Sequence, residues 1–92
     1  MRVVGQLILI EGKEHNITEI ESAVEEGASA YKRKFPRVED LLVYMNGKTR
    51  SEWEVNGSVG GLEAYQDDDI PVGYIWVIDA KDKQSFSPKK IN

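Results

Sequence analysis

Cysteine is absent from this 92-residue chain, histidine occurs once and proline three times. Without cysteine there is no disulfide framework, no cysteine-ligated zinc and no thiol catalysis, which agrees with a reducing compartment and leads us to expect the cytoplasm. Long apolar runs are missing too. Leu7-Ile8-Leu9-Ile10 is too short for a signal-peptide core or a membrane span, so neither secretion nor membrane insertion is expected. Positive charge is missing from a whole block: residues 51–80 hold seven acids and no Lys or Arg. A polyanion is repelled by such a block. The formal net charge is −4.

Residues 17–35 carry the firmest signal that is present. Ile17, Ile20, Val24, Gly27, Ala28, Tyr31 and Phe35 follow the three-and-four spacing of one helical face. Thr18 and Glu21 form a candidate capping box, and Lys32, Arg33 and Lys34 complement the helix dipole in the last turn. Pro36 pushes Phe35 out of helical geometry and ends the helix.

Around this helix the chain reads as strands. Residues 2–10 are rich in β-branched residues and offer apolar side chains to both faces, which points to an inner strand. Residues 41–45, 49–55, 59–65 and 72–78 follow, with Asn46-Gly47 and Asn56-Gly57 read as hairpin turns. Gly60-Gly61 reads as a bulge, and residues 66–71 as a solvated loop. The expected class is α+β: one N-terminal strand, one long helix, then a three- to four-stranded antiparallel meander wrapping it. That order of elements is similar to cystatin-like and monellin-like folds, a resemblance of architecture only. A split β-α-β unit with parallel first strands is the competing topology. Residues 1–80 form one domain, and 81–92 read as a polar, basic, flexible tail.

No catalytic constellation stands out, and no cofactor is expected. Asn46-Gly47-Lys48-Thr49 ends like a phosphate-binding loop, but Leu42 stands where the motif needs glycine. Gly57-Ser58-Val59-Gly60 matches the KH-domain loop by letters only. Asp67, Asp68 and Asp69 are weak candidates for a divalent cation, because adjacent carboxylates point in different directions. His15 has acids nearby to orient it but no marked nucleophile.

The richest feature is the surplus of apolar strand. One helix covers one sheet face, while residues 2–10, 41–45 and 72–78 offer apolar side chains to both. Burying roughly 400–600 Å² of the second face is worth about 10–15 kcal/mol by area, most of which association costs remove. We therefore expect a small, non-enzymatic interaction module that self-associates, as a homodimer, or binds a protein partner. Tyr74, Trp76 and Ile78 are the candidate interface residues, since Tyr and Trp favour interfaces. The alternative is a nucleic-acid-associated protein using Lys32, Arg33, Lys34, Arg37 and Arg50 with aromatics stacked on the sheet.

Overall fold

The computed structural model describes residues 5–81 and 89–90. Its described elements are β1 (Gln6–Leu9), α1 (Ile17–Lys34), β2 (Leu41–Met45), α2 (Gly47–Glu52), β3 (Ser58–Val59), β4 (Leu62–Gln66), β5 (Tyr74–Asp79) and β6 (Lys89–Lys90). The α+β class and the opening strand-then-helix order are as expected.

The pairing of the strands is not a meander. Their order is β1-β5-β2-β4-β3, with β6 also beside β4. β5 lies antiparallel to both β1 and β2, so β1 and β2 run parallel with β5 inserted between them. That is the split β-α-β arrangement. β2 and β4 are parallel neighbours, which a hairpin cannot join. The connection is made by α2 and β3.

Helix α1 is capped two residues earlier than the sequence suggests. Asn16 is the N-cap: its side chain accepts from Glu19 N, and Glu19 reaches back to the cap backbone. Asn competes well with Thr as a cap, and its bond leaves Thr18 inside the helix. The buried stripe is Ile20, Ala23, Val24, Gly27 and Tyr31. It packs on the sheet face carrying Leu41, Val43, Met45, Ala64, Ile75 and Val77.

Two turn signals resolve differently from the reading above. Asn46 is a helix cap, its side chain accepting from Lys48 N, so residues 47–52 coil into α2 where a strand was expected. The hairpin falls instead at Gly60-Gly61, both at positive φ, between Val59 and its register partner Leu62. Glycine is required at residue 60 for a second reason. A Cβ there would lie 2.8 Å from Val24 Cγ1 on α1.

The face away from α1 has its own core of Leu42, Tyr44, Tyr65, Ile70 and Ile78, with Tyr74, Trp76 and Ala80 packed against it. Ile70 comes from the loop read as solvated, yet it is 2% exposed. The flexible tail expected at 81–92 lies outside the described residues, apart from Lys81 and the Lys89–Lys90 backbone, which pairs antiparallel with Tyr65–Gln66.

Candidate interaction surface

The site is assembled from the register of two strands. Leu7 lies opposite Trp76 and Leu9 opposite Tyr74, while Ile8 lies opposite Ile75. Ile75 belongs to the core under α1, so side-chain alternation puts Leu7, Leu9, Tyr74 and Trp76 together on the far face. Leu7 and Leu9 are 47% and 51% exposed, the largest exposures of any strand hydrophobic. Tyr74 and Trp76 are half-buried beside them. The Trp76 indole lies over Gly5, where a Cβ would collide with its Nε1. Glycine at residue 5 therefore leaves room for the ring beside the end of β1.

The sequence places Tyr74, Trp76 and Ile78 on one side, and the fold keeps them on the face away from the helix. Only part of that set is accessible. Ile78 is fully buried, and Leu42, Tyr44 and Tyr65 are at most 5% exposed. Ile70 closes over this part of the face, held by Asn46 Nδ2, which donates to the Ile70 carbonyl at 3.0 Å and the Asp68 carbonyl at 3.2 Å. The open surface is thus a strip along β1 and β5 rather than a whole face. Leu7 and Leu9 were missed because β1, apolar on both faces, reads as an inner strand. It is in fact an edge: among the described residues β1 pairs with β5 alone.

The candidate basic residues do not form one patch. Lys32, Arg33 and Lys34 close α1 and Arg37 follows, all exposed, near the start of β2. Arg50 lies in α2, beyond the finish of β2, so the five-residue strand between them separates the two groups by about 17 Å. Lys32 moreover shares a groove of about 480 Å³ with Glu25, Glu39, Asp40 and Glu63. The expected aromatic platform is dispersed in the same way. Tyr44 is buried with its ring 5.5 Å from that of Tyr65. Trp53 caps the end of α2 instead of lying on a strand, and it is buried in the core under α1.

The three aspartates are used separately. Asp67 Oδ1 accepts from Asp69 N, while Asp68 Oδ1 accepts from Gly47 N at 2.8 Å. Among the described residues no three His, Asp or Glu side chains converge on a common point. Lys48 and Thr49 do begin a helix after a strand, as a phosphate loop would. The helix is only six residues long, its N-terminus is taken by the Asp68 carboxylate, and Thr49 is buried with its Oγ1 accepting from Gly73 N at 2.9 Å.

His15, Trp53 and Glu19 do meet. His15 adopts φ +53, and its ring centroid lies 4.3 Å from that of Trp53. The Trp53 indole N–H donates to Glu19 Oε1 at 3.2 Å, and Glu14 N donates to Oε2 at 3.2 Å. Burial of the Glu19 carboxyl raises its pKa, but the donors from Glu14, Trp53, Asn16 and His15 prevail and hold it below the ordinary value. Glu19 accepts from the Glu14 and Asn16 amides of its own loop and from Trp53 at the end of α2, so the cluster fastens the β1–α1 connection to α2.

No protein-family model matches the chain, and neither a curated protein nor a solved structure is significantly similar to it. Among the described residues, no helix is long and apolar enough to cross a membrane.

Proposed function

We propose that the chain is a small, non-enzymatic, cytoplasmic interaction module that associates with itself through the apolar strip on the far face of its sheet. The observation that carries this is the pair of half-exposed leucines, Leu7 and Leu9, beside the half-buried rings of Tyr74 and Trp76. Scattered surface hydrophobics need no explanation, but four adjacent ones on a rigid sheet make a contiguous patch. Tyr and Trp supply large contact area with few rotamers to freeze. A two-fold dimer brings the strip against its own copy.

Sedimentation of the full chain across a concentration series tests the proposal. The expected result is a monomer–dimer equilibrium, with Tyr74→Glu shifting it to a monomer of unchanged circular dichroism. A wild-type chain that stays monomeric at high micromolar concentration defeats it. The nucleic-acid alternative has less support, since its basic residues stand at opposite ends of β2 and acids flank Lys32. Binding of an oligonucleotide that weakens steeply with salt would restore it.

A further inference from the structure

We propose that two copies of this chain join edge to edge, β1 pairing antiparallel with β1 of the partner to make one continuous sheet. The inference rests on the reading that the chain associates with itself on its β1–β5 side, and it replaces contact through the face with backbone pairing at the β1 edge.

The direction of the β1 backbone follows from one hydrogen bond. Ile10 N donates to Gly73 O at 2.8 Å, and the register continues through Leu9↔Tyr74, Ile8↔Ile75, Leu7↔Trp76 and Gln6↔Val77. In an antiparallel ladder, pairs that exchange hydrogen bonds alternate with pairs that do not. Residues 10, 8 and 6 therefore bond to β5. The N–H and C=O of Leu7 and Leu9 point the other way, off the edge of the sheet, where no described strand meets them.

The two edges of this sheet differ. At the far side, β4 is flanked by β3 and β6, each two residues long. Very short edge strands, and lysines on them, are devices that prevent edge pairing. β1 has neither device. Residues 5–10 contain no charge and no proline, and the register with β5 runs unbroken from Gln6 to Leu9.

A second copy is the occupant that this edge suits. Each chain carries a net charge of −4, yet the segment that would meet its twin is neutral, so no like charges oppose across the join. The edge has no charged group with which to select a different strand. A two-fold axis through Ile8 sets Leu7 against the partner's Leu9, and the reverse, as hydrogen-bonded pairs. Four outward backbone groups on each copy are then satisfied, and four leucines form one ridge on the far face. Ile8 meets the partner's Ile8 on the helix side, where the flanking pair is Gln6 with the partner's Ile10.

Amide hydrogen exchange on the full chain, measured by NMR beside sedimentation, tests this. Ile8 and Ile10 amides bond within the chain and should be protected at every concentration. Leu7 and Leu9 amides should exchange freely in the monomer and slow about tenfold or more as the chain dimerises between about 20 µM and 1 mM. Leu9→Pro removes an N–H that only the partner uses, so it should give a folded monomer. Should that variant fail to fold, Leu7→Lys/Leu9→Lys gives the same readout through charge. If the chain dimerises while Leu7 and Leu9 amides stay fast and the edge variants still dimerise, edge pairing is overturned and association through the face stands. A chain that remains monomeric overturns both.

Discussion

Asn46 holds Ile70 in place: its side-chain amide donates to the Ile70 carbonyl at 3.0 Å across 24 residues of chain. The same side chain caps α2 by accepting from Lys48 N at 2.9 Å. One asparagine therefore starts a helix on one side and lowers an isoleucine onto the far-face core on the other. Asn46→Ser keeps a capping oxygen but loses both long-range donors. It should cost about 1–3 kcal/mol in denaturant unfolding, with increased exposure of Tyr44 and Tyr65 to solvent quenchers.

Glu19 gives the fold an acid-sensitive fastening. Its carboxyl is held below the ordinary 4.5, so the folded state favours the charged form. The stability it contributes is present above pH 4.5 and is lost as pH falls through the lowered value. Melting curves of the wild type should shift downward on acidification below pH 4.5. Glu19→Gln should start lower at neutral pH and show less of that decline, with Trp53 fluorescence reporting the loosened contact.

Tyr44 acts at the other end of the scale. Burial, followed by the neighbouring Tyr65 and Asp67, pushes its phenol from 10.0 to about 12. A raised acid pKa means that the unfolded chain ionises first. Stability is therefore complete below pH 10 and falls as pH rises toward 12. Tyr44→Phe should flatten that alkaline decline, followed by phenolate absorbance during unfolding.

The start of α1 can be located by two substitutions. Asn16→Ala removes the cap seen at Glu19 N, 3.0 Å from Asn16 Oδ1, and should cost about 1 kcal/mol. Thr18→Ala lies within the helix and should be neutral or stabilising by about a few tenths of a kcal/mol, because alanine is the better helix former. Equal effects would return the cap to Thr18.

Val24 joins the helix to the β3–β4 hairpin. It is 1% exposed and touches the Gly60 position. Val24→Asp should unfold the domain, since an unpaired buried charge costs several kcal/mol of a small total. Gly60→Ala should destabilise by about 1 kcal/mol or more, because φ is +59 and the new methyl meets Val24 at 2.8 Å. A Gly60→Ala chain with an unchanged melting temperature would contradict the hairpin placement.

Local pattern was enough to read α1, β2 and β5 from the sequence, because their periods are written in consecutive residues. Ile20, Val24 and Tyr31 were bound to share a helical stripe, and Tyr74, Trp76 and Ile78 one side of a strand. The class followed from those elements. What an Asn-Gly pair does is not local. Asn46-Gly47 suits a hairpin turn or a helix start equally, and the choice came from Asp68 binding Gly47 N and Thr49 binding Gly73 N, 21 and 24 residues away. Accessibility within the far face was likewise decided in three dimensions. Ile78 and Leu7 have the same apolar character in sequence. One lies on the strand inserted between β1 and β2, beneath a cluster closed by Ile70, and the other on an edge that nothing described covers. Strand order is a matter of which backbone finds which, and β1 became an edge only when β5 came to lie between it and β2.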